Sequence, residues 1–199
     1  MIRRISILVL SFLIFSAPLW AAVNFLDNKV VKLGEAVPDF ELKDTAETSH
    51  KLSGYKGNII MIHFWSATCP FVLRYDEQLK QIAEDYQKQG VVVLGIDSNT
   101  NEKIEDIKKV TEVRKVNYPI LLDPGNKVAD QFGAITTPHV FILDKEGKLI
   151  YEGAVDDQGW SEDHKPKKFY VRNALDQALK GEVVTVSKTK SVGCTVKRF

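Results

Sequence analysis

Cys69 is the residue whose surroundings most clearly predict covalent chemistry. It follows a continuous apolar run at residues 58–65 (NIIMIHFW), which is typical of a fully buried strand, and then a short turn. Pro70 and the helical spacing of apolar residues after it predict a helix that begins directly behind Cys69. The unpaired N–H groups and the positive dipole end of a first helical turn favour a thiolate over a thiol. We therefore expect Cys69 to be a reactive nucleophile that alkylates rapidly below about pH 7, the alternative being a buried, inert cysteine.

The elements that must position this cysteine follow an alternating order. A second buried strand is expected at residues 91–97 and further short strands at residues 120–122 and 140–143. Helical periodicity lies between them, and a turn at residues 144–147 predicts a hairpin before a last helix that ends near Gly181. This order is typical of an α/β fold in which a central mixed sheet is flanked by helices.

The first 22 residues have the layout of a secretory signal peptide. Arg3 and Arg4 are followed by an apolar stretch shorter than the ~20 residues that span a bilayer, and Ala21 and Ala22 provide a small-residue cleavage site. We expect cleavage near these alanines and a protein exported to the bacterial periplasm, without stable membrane insertion afterwards; the alternative is an uncleaved membrane anchor. An exported chain meets conditions in which disulfides persist.

Composition excludes several functional classes. The 27 basic and 26 acidic residues leave a formal charge of +1, which gives no electrostatic footprint for nucleic acid. The two cysteines and four histidines are too scattered for a structural zinc site. We expect neither a metal nor an organic cofactor. A copper chaperone built from one cysteine and one or two histidines is a further alternative, although it lacks the usual paired cysteines.

Three segments resemble the thioredoxin superfamily. Residues 64–72 (FWSATCPFV) resemble its active-site segment, a strand end followed by C-x-x-C at a helix start, and residues 135–138 (ITTP) resemble its cis-proline loop. Residues 34–40 (GEAVPDF) resemble the opening of the redoxin branch, which includes peroxiredoxins and the membrane-tethered thioredoxins of cytochrome maturation. The resemblance spans residues 32–180 and implies a thioredoxin fold with thiol-based redox chemistry.

The chain departs from two patterns of that superfamily. Val72 stands where the second cysteine of C-x-x-C would be, so Cys69 has no local partner. The peroxiredoxin pattern P-x-x-x-T-x-x-C would need proline at Ile62 and threonine at Ser66. A subgroup of uncharacterised peroxiredoxin-like proteins is more similar, because it combines Cys-Pro-Phe-Val, Asp-Asp after the last hairpin and a C-terminal Gly-Cys-x-x-Lys. In this chain those segments are residues 69–72, 156–157 and 193–197.

Within this resemblance, Cys194 is the candidate resolving cysteine. It lies in the polar tail of residues 181–199, about 14 residues after the last predicted helix, and at ~3.3 Å per extended residue such a tail reaches ~45 Å. Cys194 can therefore approach Cys69 in the same chain or in a second one. We expect it to behave as an ordinary thiol in a mobile tail, with a static disulfide or an unpaired thiol as alternatives.

The resemblance also implies supporting residues around the nucleophile. Thr68 and Pro70 flank it in the sequence, and Thr137, which precedes Pro138, would present its backbone to bound thiol partners. His139 follows that loop and is expected near the nucleophile. His63, inside the first buried strand, Arg74 and Arg114 are weaker candidates, and His63 is expected to be a packed, hydrogen-bonded core residue.

The sequence thus predicts an exported thiol-dependent oxidoreductase of the redoxin type. Its oxidising substrate would be a hydroperoxide or a protein disulfide, and an external dithiol would reduce it. The alternative from another class is a redox-inert module that uses the cis-proline loop to bind extended peptides.

Overall fold

The structure is a computed structural model that describes residues 29–161, 163 and 165–198. The signal sequence expected at residues 1–22 lies outside these residues. No helix in the described part of the chain is long and apolar enough to cross a membrane.

Most of the nine strands found in the described residues belong to one mixed sheet. In chain order they are β1 (Glu41–Asp44), β2 (Ser49–Lys51), β3 (Ile60–Trp65), β4 (Val92–Asp97), β5 (Ile120–Leu122), β6 (Thr136–Thr137), β7 (His139–Leu143), β8 (Leu149–Gly153) and β9 (Cys194–Thr195). Seven of them form the sheet in the order β2-β1-β5-β4-β3-β7-β8, while β6 and β9 form a separate two-stranded ladder. Strand β3 runs parallel to β4 and antiparallel to β7, so it is an inner strand of the sheet with a hydrogen-bonded neighbour on each side.

Within the described part of the chain, four α-helices cover the sheet. They are α1 (Pro70–Gln87), α2 (Ile104–Val113), α3 (Lys127–Phe132) and α4 (Tyr170–Leu179), with a short 3₁₀-helix at Leu52–Tyr55. Two apolar clusters form the core, one containing residues of α1, α2 and α4 and the other containing residues of α3. The expected α/β architecture with a central mixed sheet is confirmed.

Strand β3 contributes side chains to both apolar clusters. Its six residues are all buried, as the continuous apolar run predicts for a strand covered on both faces. Because strand side chains alternate between faces, Met61 and Trp65 pack with α1, whereas Ile62 and Phe64 pack with α3. Strand β3 therefore delivers the chain to the start of α1 from the middle of the core.

The segment after α4 corrects one expectation from the sequence, because it is not a mobile tail. It runs along β8, where the Glu152 peptide nitrogen donates to the Ser187 carbonyl at 2.9 Å and the Thr189 nitrogen donates to the Glu152 carbonyl at 3.0 Å. It ends in β9, and Val196 beyond it is only 3% exposed within the cluster on the α3 side. The polar composition of residues 181–199 did not predict these contacts, because they depend on a few individual apolar and small residues.

Candidate active site

Cys69 lies at the junction of strand β3 and α1, as the sequence predicts. It is the residue that caps α1, Pro70 occupies the first turn, and the cysteine is 2% exposed. The peptide nitrogen of Cys69 donates to the Ser66 hydroxyl at 3.1 Å, which fixes the loop between strand and helix. The Cys69 sulfur is therefore held at the positive end of α1.

The cis-proline loop lies against this sulfur. The peptide bond between Thr137 and Pro138 is cis, and Thr137 is 1% exposed. The Cys69 Sγ atom donates a hydrogen bond to the Thr137 carbonyl oxygen at 3.1 Å. Thr137 thus contacts the candidate nucleophile through its backbone.

Cys194 lies beside Cys69. Strand β9 pairs antiparallel with β6, and Cys194 is the register partner of Thr137. Burial, followed by a hydrogen bond that the Cys194 thiol donates to Cys69, raises the pKa of Cys194 to about 11. Both cysteines are free thiols in the structure. The expectation of an ordinary thiol at Cys194 is therefore wrong, because the residue is packed against a second sulfur.

Gly193 allows the C-terminal strand to approach this closely. A Cβ atom on Gly193 would lie 2.6 Å from the Thr137 carbonyl carbon and 3.2 Å from the Pro138 nitrogen, well inside contact distance. Beyond Cys194, the Val196 nitrogen donates to the Ile135 carbonyl at 3.1 Å. The backbone of the tail therefore contacts the cis-proline loop on both sides of Cys194.

A pair of carboxyl groups supports the loop before Cys69, and sequence reasoning missed it. Glu102 accepts hydrogen bonds from the Ser66 hydroxyl at 2.5 Å, the Ala67 nitrogen at 2.7 Å and the Thr68 hydroxyl at 2.6 Å. Asp97 ends the neighbouring strand β4, and burial, together with a hydrogen bond to Glu102, raises its pKa to about 8. Burial opposes ionisation of Glu102 too, but the hydrogen bonds from Asp97, Ser66 and the loop outweigh it and lower the pKa of Glu102. The pair therefore carries one proton near neutral pH, mainly on Asp97.

No sequence motif marks this pair; its location follows from the arrangement of the strands. Strands β3 and β4 are parallel, so their carboxyl ends meet at the same edge of the sheet. Acidic residues that follow β4 are for that reason brought to the loop that follows β3. The helical pattern of the sequence placed Glu102 at the start of α2, whereas the helix begins at Ile104 and leaves Glu102 to face the loop.

Arg114 supports the same loop from another side. Its Nη2 atom donates to the Ala67 carbonyl at 2.7 Å, and its Nη1 atom lies 3.3 Å from Asp76 Oδ2 in an ion pair that is largely buried. Burial raises the pKa of Asp76, and the Arg114 charge acts in the opposite direction. Arg74, the other arginine considered, instead lies over the ring of Phe71 at 4.8 Å.

His139 does not join the cysteines. Its ring stacks against Phe141 at 4.4 Å and lines a separate cavity that also contains Glu152 and Lys188. Burial, followed by the Lys188 charge, lowers the pKa of His139 to about 4. His139 and Phe141 share the face of β7 that meets the α3 cluster, whereas α1 and Cys69 lie on the opposite face. The expectation that His139 lies near Cys69 is not met.

His63 is a packed core residue, as expected, but it is not hydrogen-bonded. Its ring contacts Tyr118 edge-on at 5.1 Å, and neither ring nitrogen has a hydrogen-bond partner in the described part of the chain. Burial lowers the pKa of His63 to about 3. The side chain is therefore a neutral member of the core.

Access to the two sulfurs is through a small polar cavity of about 120 Å³. Its lining consists of the two cysteines and mostly polar neighbours, namely Ser66, Thr68, Asn99, Asn101, Glu102, Thr137, Thr195 and Lys197. Residues 29–161, 163 and 165–198 contain no cluster of three or more His, Cys, Asp or Glu residues suited to a metal ion.

The fold and this site together define a class of protein. A buried cysteine at the start of the helix after an inner strand of the sheet, with a cis-proline loop against its sulfur, is the arrangement of a thioredoxin-fold thiol oxidoreductase. The chain belongs to the AhpC/TSA family, whose sequence profile matches residues 33–152.

Comparison with known proteins agrees with this assignment. The thiol-disulfide oxidoreductase ResA of Geobacillus thermodenitrificans (strain NG80-2) is 30% identical over 125 residues, which cover 63% of this chain and 71% of the relative. A hypothetical protein of Sinorhizobium meliloti 1021 has a solved structure that is 30% identical, has a TM-score of 0.79 and covers 86% of this chain and 97% of its own. The thioredoxin domain of a thiol-disulfide oxidoreductase from Bacteroides vulgatus is 23% identical, with a TM-score of 0.55 over 61% of this chain and 88% of its own. The last of these similarities supports the thioredoxin fold.

Proposed function

We propose that this protein is a two-cysteine thiol oxidoreductase in which Cys69 is the attacking thiolate and Cys194 is the resolving cysteine. The observation that carries the proposal is that Cys194 lies opposite Thr137, whose carbonyl accepts the hydrogen bond from Cys69, and that both cysteines line the same small cavity. Val72 occupies the position where the second cysteine of C-x-x-C would stand, and Cys194 supplies the missing thiol from the other end of the chain. The ResA relative, itself a thiol-disulfide oxidoreductase, supports the same class of reaction.

The cycle begins at Cys69. With a hydroperoxide, the thiolate attacks one peroxide oxygen, the O–O bond breaks, and Cys69 becomes a sulfenic acid while the other oxygen leaves as water or alcohol. With a disulfide, the thiolate forms a mixed disulfide and releases one thiolate. In either case the Cys194 sulfur then attacks the Cys69 sulfur and expels hydroxide or the second thiolate. The product is a disulfide between Cys69 and Cys194, which an external dithiol reduces.

Several residues position this chemistry without taking part in it. The Glu102 carboxylate accepts hydrogen bonds from Ser66, Ala67 and Thr68, and these bonds fix the loop that precedes the nucleophile. The Thr137 carbonyl orients the Cys69 thiol and lies next to Cys194. No step in the cycle requires a metal or an organic cofactor.

The proposal includes export, which the first 22 residues support. A charged start, a short apolar stretch and two alanines form a signal-peptide pattern, and a mature chain beginning near Val23 would fold where disulfides persist. Intact mass of the protein recovered from the periplasmic fraction tests this. Recovery of the full 22.4 kDa chain from that fraction would contradict cleavage near Val23, and recovery of the protein from the cytoplasmic fraction alone would contradict export.

The function is tested by turnover with an oxidant and an external dithiol, measured on the unaltered protein and on Cys69→Ser and Cys194→Ser. Cys69→Ser should abolish turnover, and Cys194→Ser should leave Cys69 over-oxidised or trapped in mixed disulfides. The redox-inert binding module predicts that none of the three proteins turns over. That module would also need the free edge of the cis-proline loop, which β9 occupies in this structure.

A further inference from the structure

The short strand at the cis-proline loop presents a strand edge to the Cys69 sulfur. Strand β6 consists of Thr136 and Thr137, and the Thr137 carbonyl accepts the hydrogen bond from Cys69. A free edge of this kind accepts an extended polypeptide by adding it as a further strand. A cysteine of such a polypeptide placed opposite Thr137 would lie at the nucleophile.

In this protein that place is occupied by the chain itself. Strand β9 is antiparallel to β6, with Thr195 opposite Thr136 and Cys194 opposite Thr137. The C-terminal strand segment, defined here as residues 191–198, therefore occupies the position that the polypeptide of a protein substrate would take.

The C-terminal strand segment is anchored at both ends. Before Cys194, the hydroxyls of Ser191 and Thr136 are hydrogen-bonded at 2.8 Å. After it, Val196 is buried, the Lys197 nitrogen donates to Asn99 Oδ1 at 3.1 Å, and the Arg198 Nε atom donates to Asp130 Oδ1 at 2.8 Å. Because these contacts lie on both sides of Cys194, the loss of any one of them does not release the segment.

The opening that remains is small. Cys69 is 2% exposed, and the polar cavity beside it has a volume of about 120 Å³. That volume suits a small molecule and cannot hold a strand of polypeptide.

We propose that the C-terminal strand segment is a built-in substitute for a substrate polypeptide, which leaves Cys69 open to small oxidants and closes it to protein disulfides. This inference rests on the proposed function, in which Cys69 is the nucleophile. A small disulfide RSSR reacts by forming a Cys69–SR bond as its S–S bond breaks and RS⁻ leaves. A protein disulfide undergoes the same exchange only after the segment has been displaced.

The test compares two disulfides that both carry cysteamine as a leaving group but differ in size: cystamine, and a thioredoxin variant whose single remaining active-site cysteine is joined to cysteamine as a mixed disulfide. The background variant is Cys194→Ser, in which the first exchange at Cys69 is trapped as a mixed disulfide that intact mass counts. Adding Gly193→Ala displaces the segment, since its Cβ would collide with the Thr137 carbonyl. Adding Gly54→Ala instead is the matched control, because its Cβ would have no atom within 4 Å.

In the Cys194→Ser background, cystamine should react readily and the mixed disulfide of the thioredoxin variant slowly. Gly193→Ala should speed the reaction with the thioredoxin variant at least about tenfold and change the cystamine rate by less than about twofold, because it raises only the population of open chains. Gly54→Ala should change neither rate. Equal thioredoxin rates with and without Gly193→Ala would overturn the inference.

Two further results separate the possible failures. If the unaltered protein never forms a disulfide between its two cysteines with any oxidant, the proposed function fails rather than this inference. If Gly193→Ala does not fold, hydrogen exchange of the unaltered protein decides. The Val196 amide should then be protected, and its complete exchange within seconds would show that the segment does not cover the site.

Discussion

The thiol of Cys69 donates a hydrogen bond to the carbonyl oxygen of Thr137 at 3.1 Å. Thr137 is also the residue opposite Cys194 in the β6–β9 ladder. One backbone position therefore fixes both cysteines, and it brings together sulfurs from the beginning of α1 and the end of the chain. This relationship underlies the predictions below.

Cys194 should be slow to alkylate. Burial and the hydrogen bond to Cys69 raise its pKa to about 11, so few thiolates are present at neutral pH. The rate at which iodoacetamide labels Cys194 can be measured by peptide mass at a series of pH values. The midpoint of this pH dependence should lie well above the ~8.5 of an ordinary thiol. In Cys69→Ser the midpoint should fall partway, since burial remains. A midpoint near 8.5 in the unaltered protein would mean that the C-terminal strand segment is not docked.

The Asp97–Glu102 pair should give stability a characteristic pH dependence. Folding raises the pKa of Asp97 from 3.8 to about 8, so between these values the folded state holds a proton that the unfolded chain has released. The contribution of Asp97 to the free energy of unfolding should therefore fall as pH rises from about 4 to about 8, while the lowered pKa values of His63 and His139 act in the opposite direction up to about pH 6.5. Asp97→Asn cannot ionise, so the difference between its curve and that of the unaltered protein should change across this range, whereas Glu105→Gln, on the exposed start of α2, should give a constant difference. Chemical denaturation across this pH range measures the effect, and parallel curves for Asp97→Asn and the unaltered protein would contradict it.

Removing the Arg114 side chain should destabilise the protein, because it leaves the buried carboxylate of Asp76 without its partner charge. Replacing Arg114 with alanine removes the bond to the Ala67 carbonyl and leaves Asp76 as a buried carboxylate without its cation. The expected loss in the free energy of unfolding is about 3 kcal/mol or more. The double variant Arg114→Met/Asp76→Leu should recover much of it, because no uncompensated charge remains. If the double variant is no more stable than Arg114→Ala, the ion pair is not the cause.

Docking of the C-terminal strand segment should contribute measurably to stability. Val196→Ala removes buried apolar groups, at ~0.8 kcal/mol each, and leaves a cavity, so the expected loss is about 2 kcal/mol. Val183→Ala is the control, since Val183 is 86% exposed and should change stability by less than about 0.5 kcal/mol. Equal effects of the two substitutions, measured by urea denaturation, would show that residue 196 is not in the core.

The parts of the site that the sequence predicted are those with a local signal. Each of these signals depends on only a few neighbouring residues: the apolar run of β3, Pro70 at the start of α1 and the Thr137–Pro138 segment. That information sufficed to place Cys69 correctly. The cis-proline loop at residues 135–138 was identified through its resemblance to the thioredoxin superfamily.

The parts that the sequence did not predict depend on distant contacts. Glu102 reaches the loop because β3 and β4 are parallel neighbours, a fact that no motif records. The docking of the C-terminal strand segment depends on the missing side chain of Gly193 and the burial of Val196 in an otherwise polar stretch. His139 was misplaced because closeness in sequence to Pro138 says nothing about which face of β7 a side chain occupies.

The most direct test of the account is a redox titration of the unaltered protein followed by peptide mapping, with Cys194→Ser as control. The account predicts a reversible disulfide that links Cys69 to Cys194 within one chain, with a reduction potential above the range of structural disulfides, which lies below about −300 mV. Cys194→Ser should instead over-oxidise at Cys69 or trap outside thiols. Absence of the linked peptide, together with a Cys194→Ser variant that turns over as fast as the unaltered protein, would contradict the account and leave Cys69 as the sole working cysteine.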